Sequence, residues 1–344
     1  MIAVNGRFLL RKRITGVERY AHELLARLPE YGPLRVERPR SAQSAYQHLW
    51  EQAILPARLA RDTVLFNPCN LAPLAHPANV ITLHDVVPLV YPQFYRPAFQ
   101  LYYRTLIPLL ARRALHILTV SEFSRRQILA GTGVDEKKVT VVPNGVSERF
   151  VPSLRSASSA IRTRYGIGAP YLLYVGSLEP RKNVATLLKA FSYAQRHLGL
   201  RGYELLIAGD RHRNFADVDV APDQTAGIRL LGYVADADLP ALYANADLFV
   251  YPSLCEGFGL PVLEAMACGV VALAAAGSSL IEVVGDAELC FDALDHRALA
   301  EKICFYLARP GLRQDCIARG LQRVEQFRWS RSAMLTARVL TDFR

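Results

Sequence analysis

The chain has 344 residues, enough for two domains of ordinary size, and at 51% hydrophobic and 21% charged it is globular and not disordered. It has no uncharged apolar run of about 18 residues, so no membrane-spanning helix is expected. Its first residues read as a strand and lack the basic-then-apolar form of a signal peptide. The formal charge of +10 is lopsided: residues 1–150 hold 20 Lys and Arg against 11 Asp and Glu, a net of +9, and residues 151–344 hold 21 against 20, a net of +1. Anionic partners are therefore expected for the first half, whether phosphate groups, anionic lipid or nucleic acid.

In chain order, short and nearly continuous apolar runs at 2–10, 64–67, 80–83, 116–120 and 139–142 read as strands covered on both faces. Helical patterns lie between them at 16–28, 45–60, 96–113 and 121–130, with Ser121 placed as an N-cap. The alternation argues for a doubly wound α/β sheet. The pattern breaks after Pro143-Asn-Gly145 in a Ser-rich stretch, with a short helix at 161–165. A second series follows, with strands at 171–175, 204–208, 228–231, 248–251, 270–274 and 289–291. Its helices are expected at 184–198, 238–245, 260–268, 296–307, 312–326 and 329–341. The expected division is an N-terminal Rossmann-like domain over 1–150, a hinge over 151–164 and a second Rossmann-like domain over 165–328. Two such halves joined by a hinge place a cleft between them.

The most informative stretch is Ser253-Leu-Cys-Glu256-Gly257-Phe258-Gly259-Leu260-Pro-Val-Leu-Glu264. A strand, a loop with two glycines and a helix opened by Pro261 present backbone N–H groups to an anion, with two carboxylates beside them. Tyr174-Val-Gly176-Ser177-Leu-Glu-Pro-Arg181-Lys182-Asn183 ends another strand and delivers two adjacent cations. Those cations oppose the dipole of the helix that follows, a cost that binding a diphosphate would explain. His84 and Asp85 emerge at the C-terminal end of a strand, where open α/β sheets place ligand contacts. Asp217-Val-Asp219 and Asp236-Ala-Asp238 have metal-binding spacing, but neither follows a strand as that role requires. The first reads as an irregular loop and the second as an N-cap. The six cysteines show no Cys-x-x-Cys pair and read as free thiols.

Together these residues resemble the retaining glycosyltransferases of family 4, which have the GT-B fold. The specific match is Glu256 to Glu264, two glutamates separated by seven residues; Gly176–Asn183, His84-Asp85, Val120-Ser-Glu-Phe-Ser124 and Pro143-Asn-Gly145 support it. Thr15-Gly16-Val-Glu-Arg19 and Leu83-His-Asp-Val-Val-Pro-Leu89 look like bacterial polysaccharide mannosyl- and rhamnosyltransferases.

The resemblance implies roles. Glu256 would meet donor-sugar hydroxyls, Glu264 the ribose, and Arg181 and Lys182 the diphosphate, aided by backbone N–H groups of Phe258, Gly259 and Leu260. Gly176, Ser177 and Gly257 would line the donor site, and Gly232, Tyr233 and Val234 would meet the base. His84 would face the donor sugar, and Gly16 would sit nearest the phosphates, although many relatives carry two adjacent glycines there. Asp85, Arg11, Lys12 and Arg13 would lie on the acceptor side, and the segment 329–344 would cross back onto the N-terminal domain.

The expected activity is metal-independent transfer of a hexose, with retention, from a nucleoside-diphosphate sugar to a hydroxyl of a glycan or lipid-linked glycan. GDP-mannose or a related GDP-deoxyhexose is the expected donor, with no cofactor and no metal. A cytoplasmic protein, peripheral on the membrane face, is expected. The alternatives are a nucleotide-sugar 2-epimerase of the same fold and a nucleic-acid-binding module; no usual nucleic-acid signature supports the second.

Overall fold

The computed structural model describes residues 1–11, 14–210 and 227–343. They form two compact units, one of Met1–Pro92, Pro97–Gly145 and Phe327–Arg344, the other of Gln93–Arg96 and Val146–Gln326.

The first unit is built on a parallel six-stranded sheet. Its strands are β1 (Ile2–Asn5), β2 (Leu34–Glu37), β3 (Val64–Asn67), β4 (Asn79–Thr82), β5 (His116–Thr119) and β6 (Val139–Val141). Their order is β2-β1-β3-β4-β5-β6. β1, β3, β4 and β5 are buried at every position, which explains their continuous apolar character. Helix Pro97–Arg113 packs Leu106, Ile107, Leu110 and Ala111 into one core with Ile81 and Ile117, and each leucine or isoleucine contributes roughly 1.5–3 kcal/mol on burial.

Two expectations need correction here. The run 2–10 is not one strand: the Asn5 side chain accepts the Arg7 N–H at 3.3 Å and turns Gly6–Leu10 into a 3₁₀ helix. The edge strand β2 is additional, and its Leu-Arg-Val-Glu sequence with exposed Arg35 and Val36 carries no buried-strand pattern.

The second unit holds β7 (Tyr171–Val175), β8 (Glu204–Ala208), β9 (Ile228–Gly232), β10 (Leu248–Tyr251), β11 (Ala272–Ala275) and β12 (Cys290–Phe291). Their order, β12-β11-β10-β7-β8-β9, is parallel throughout and is the Rossmann order read from the other edge. Residues 151–164, expected as the hinge, lie within this unit as a 3₁₀ turn, Pro152–Ala157, and part of helix Ser158–Tyr165. Apart from the short excursion of Gln93–Arg96, the chain changes unit after Gly145 and again after Gln326.

The last helix, Trp329–Asp342, belongs to the first unit and buries Trp329, Ala333, Ala337 and Leu340, spaced for one helical face. Its entry is tight: a Cβ on Gly145 would lie 2.2 Å from the Trp329 backbone nitrogen.

Candidate active site

In the second unit the connections of β7 and β10 leave toward opposite edges of the sheet, and these two strands are neighbours. That is the topological switch point, where a crevice opens beyond the strand ends. Both motif loops start there, Gly176-Ser177 after β7 and Ser253–Gly259 after β10. They are stitched together by the Arg181 carbonyl, which accepts the Leu254 N–H at 2.8 Å and the Ser253 hydroxyl at 3.2 Å. Asn183, at φ +55°, donates to the Pro252 carbonyl at 3.1 Å and to the Ala293 carbonyl at 2.6 Å. Gly259 has φ +109° and turns the chain into helix Leu260–Ala267. Only glycine adopts that conformation cheaply, and a Cβ there would also lie 2.4 Å from Leu280. The helix therefore opens at the strand end, with its first N–H groups pointing out of it. The Ser279 hydroxyl lies 2.8 Å from the Glu256 carbonyl and 3.0 Å from that of Phe258, bracing the loop.

The charged side chains form a quartet, with Glu179, Lys182 and Glu256 buried and Arg181 partly so. Lys182 Nζ sits 2.6 Å from Glu256 Oε1, and Arg181 Nη1 sits 3.3 Å from Glu256 Oε2. Arg181 Nε donates to Glu179 Oε2 at 2.8 Å, and Ser177 hydrogen-bonds the other oxygen of Glu179. Lys182 also donates to the Tyr251 hydroxyl at 2.9 Å. Two cations face two carboxylates, so the site balances its own charge.

Burial alone would raise the Glu256 carboxyl, but the Lys182 and Arg181 charges outweigh it and hold the group at about 2. Burial and the Arg181 charge pull the Lys182 ammonium down, against the opposing pull of Glu256 and Glu179. Burial, then the Glu256 charge, push the Tyr174 and Tyr251 phenols well up, so both stay neutral.

The structure thus brings Arg181, Lys182 and Glu256 together, with Gly176, Ser177, Gly257, Phe258, Gly259 and Leu260 around them. Glu264 is buried on the helix and accepts the Tyr243 hydroxyl at 3.1 Å. At the end of β9, Gly232 accepts the Gly209 N–H at 2.8 Å; Tyr233 is exposed and Val234 is buried. Asp238 caps helix Leu239–Ala244 by position only, since its carboxylate takes the Tyr165 hydroxyl at 2.8 Å and pairs with Arg164. Asp217 and Asp219 lie outside the described residues, and among the described residues no three His, Cys, Asp or Glu gather as a metal site.

His84 belongs to the first unit. Its Nε2 lies 2.8 Å from the Pro68 carbonyl, so that nitrogen carries the proton and Nδ1 is the basic one. Asn70 holds the His84 backbone N–H at 2.8 Å, and Tyr20 meets the ring edge-on at 4.7 Å. Burial lowers its pKa, against the Pro68 bond and Asp85, and so favours the neutral ring. Asp85 accepts the Val87 N–H at 3.1 Å. Arg11 is exposed, and Lys12 and Arg13 lie outside the described residues. Gly16 is the first residue of helix Gly16–Arg27, as its place at the start of the 16–28 pattern suggests, and Glu18 reaches back to the Thr15 N–H at 3.0 Å.

Sequence reasoning gave no role to Glu179, Tyr251, Tyr243 or Ser279. Glu179 stands two residues before Arg181 in a quoted motif and was legible as a partner; Ser279 carries no local signal.

Two doubly wound Rossmann-like units, one with cations, carboxylates and a helix N-terminus at its switch point, define a GT-B glycosyltransferase. The chain belongs to the group 1 glycosyl transferases: the family profile described as Glycosyl transferases group 1 matches residues 160–323, and one described as Glycosyltransferase Family 4 matches residues 59–150. It is 35% identical over 276 residues to the O-antigen chain mannosyltransferase B of Escherichia coli, covering 78% of this chain and 71% of that protein. It is 30% identical over 278 residues to the serotype-specific mannosyltransferase WbdA of E. coli, but that match spans 75% of this chain and only 32% of WbdA. The fold matches the crystal structure of WaaG, a glycosyltransferase involved in lipopolysaccharide biosynthesis. The TM-score is 0.76 at 17% identity, over 99% of this chain and 100% of that one.

Proposed function

We propose that this glycosyltransferase moves a mannose, or a related 6-deoxyhexose, with retention and without a metal, from a GDP-sugar to a hydroxyl of a glycan or lipid-linked glycan in bacterial polysaccharide assembly. The observation that carries the reading is the Arg181–Lys182–Glu256 constellation beside the Gly259–Leu260 helix start. The leaving group of such a transfer is a nucleoside diphosphate, and fixed cations with backbone N–H groups stabilise the charge that grows on it. Arg181 and Lys182 take the part a metal plays in other sugar transferases. Glu256 binds donor-sugar hydroxyls, Glu264 the ribose hydroxyls, and the segment Gly232-Tyr233-Val234 the base.

A carboxyl held at about 2 by two cations is a poor proton acceptor, which supports a binding role for Glu256 over a general base. His84, neutral and fixed by Pro68 with Nδ1 as its basic nitrogen, is suited to accept a hydrogen bond from a sugar hydroxyl. Relatives with mannosyltransferase names support the sugar, and the fold leaves the base open to test. Peripheral contact with an anionic membrane is part of the reading. Helix Pro97–Arg113 exposes Leu101, Tyr102 and Leu109 beside Arg104 and Arg112, a face suited to anionic lipid. No helix among the described residues is long and apolar enough to cross a membrane.

The test is a thermal-shift ranking of GDP, UDP, ADP and dTDP, followed by transfer from GDP-mannose to a mannose-terminated lipid-linked acceptor. A ligand bound only by the native state raises the melting temperature. Stabilisation by GDP with mannose transfer supports the reading; stabilisation by another diphosphate, with no transfer from GDP-mannose, sinks the donor assignment. Formation of an epimer without acceptor would sink the transfer reading itself.

A further inference from the structure

Glu179 flanks the other three members of the quartet, and its side chain meets them through Arg181. It is 6% exposed. One carboxylate oxygen takes Arg181 Nε at 2.8 Å and the other is held by Ser177, whose carbonyl in turn accepts the Tyr174 hydroxyl at 3.1 Å. The Glu179 carbonyl accepts the Lys182 N–H at 2.9 Å, closing the short turn Pro180–Lys182 that carries both cations. Its side chain and backbone are therefore both engaged. Glu256 approaches the same guanidinium differently, at Nη1, at a longer 3.3 Å, and from a loop that reaches this place from 75 residues away. Nη1 also donates to the Cys255 carbonyl at 3.1 Å.

We propose that Glu179 is a positioning residue for Arg181, and that the two carboxylates on this arginine act in opposite senses on donor binding. The inference rests on the donor site described above. Glu179 grips the Nε side of the guanidinium and sets the Nη side in a fixed direction. Glu256 occupies that side and Lys182 until the donor arrives. A diphosphate presents the same kind of ligand as a carboxylate, with more charge and a geometry suited to arginine. It displaces Glu256 from the cations, and the freed carboxylate becomes available to donor-sugar hydroxyls. Glu179 stays in place throughout.

Coulomb attraction alone predicts something else. Both glutamates neutralise the same cations, so removing either charge should tighten the binding of an anion. The positioning role reverses the sign for one of them.

The experiment is isothermal calorimetry with GDP and UDP on the wild type, Glu179→Gln, Glu256→Gln, Arg181→Ala and the Arg181→Ala/Glu179→Gln double variant, each first checked for a cooperative thermal transition. Ser177→Ala, which removes one support of Glu179 without touching the charge, is a milder second probe. Glu256→Gln should bind nucleoside diphosphate more tightly, by roughly three- to tenfold, and Glu179→Gln more weakly, by roughly tenfold, the scale of one hydrogen bond to a charged group. Ser177→Ala should weaken it in the same direction by a smaller factor. In transfer assays Glu179→Gln should raise the donor KM more than it lowers kcat. In the Arg181→Ala background, Glu179→Gln should no longer weaken binding, because the group it positions is gone and only the loss of a negative charge near Lys182 remains. Tighter binding by Glu179→Gln, or an equal effect of that change with and without Arg181, overturns the role. If Arg181→Ala binds as the wild type does, the donor site itself is misplaced, a separate result from failure of the Glu179 assignment.

Discussion

Replacing Lys182 by methionine keeps the chain's bulk and removes the ammonium that lies 2.6 Å from Glu256, where both side chains are about nine-tenths buried. Breaking a buried pair from one side strands the other charge, at a cost of about 3–5 kcal/mol. Arg181 remains 3.3 Å from the carboxylate, so the lower end of that range, about 3 kcal/mol, is expected. The carboxyl supplies a second route to the number: a fall from 4.5 to about 2 is worth roughly 3 kcal/mol, shared between the two cations. The sign follows from linkage. A depressed carboxyl stabilises the fold above pH 4.5, and that stability is lost as pH falls toward about 2. Urea unfolding of wild type and Lys182→Met, followed from about pH 7 to about pH 3, should therefore show curves that differ most at neutral pH and converge on acidification. Transfer activity should fall by at least about a hundredfold, since the leaving diphosphate loses a fixed cation. A pH-independent offset, or none, would refute the pairing from which these figures are built.

Three further outcomes follow from other parts of the molecule. Glu264→Gln should raise the donor KM by roughly tenfold with little change in kcat, and a donor lacking the ribose hydroxyls should show no further penalty in that variant. Gly145→Ala would drive a Cβ to 2.2 Å from the Trp329 nitrogen and 2.6 Å from the Arg328 carbonyl carbon. Because both contacts are backbone, a loss of roughly 3 kcal/mol is expected in calorimetric unfolding. Burial lowers the His84 pKa below 6.5, so its contribution to stability is full above pH 6.5 and declines as pH falls through the window below it. His84→Asn should accordingly lose less melting temperature than wild type between about pH 7.5 and about pH 5.5.

How much of this was legible depends on where the information lies. Strands β7, β8 and β10 and helix His296–Leu307 match the sequence reading to the residue, because each is an apolar or periodic run with polar residues or a glycine at its ends. The edge strand β2 was not legible, since two of its four residues are charged and its pairing is visible only in the folded sheet. Phe8, Leu9 and Leu10 extend the apolar run of β1, and nothing local says that Asn5 ends it through its side chain. At the site, adjacent Arg181 and Lys182 suggested two cations awaiting a ligand. Their pairing with Glu256, 74 residues beyond Lys182, comes from the adjacency of β7 and β10, a property of strand order and not of local sequence.

The charge-balanced quartet also sets how the enzyme should respond to salt. The unit that holds the site, Gln93–Arg96 and Val146–Gln326, has 19 Lys and Arg against 20 Asp and Glu, a net charge of −1, and the site's two cations are already matched by two buried carboxylates. A donor therefore meets no long-range positive field from this unit, and its binding depends on an exchange of partners at contact distance. Mobile ions screen exposed charges over about 8–10 Å and affect buried pairs far less. The net +9 of residues 1–150 is another matter, since Arg104 and Arg112 are exposed and act on an approaching anionic surface through solvent. Raising sodium chloride from about 50 to about 300 mM should thus leave the donor KM within about twofold while weakening binding to vesicles containing phosphatidylglycerol by about tenfold or more. Flotation assays and initial-rate kinetics on the same preparation measure both. A donor KM that climbs in step with the loss of vesicle binding would mean that the quartet is open to solvent and its cations unpaired before the donor arrives.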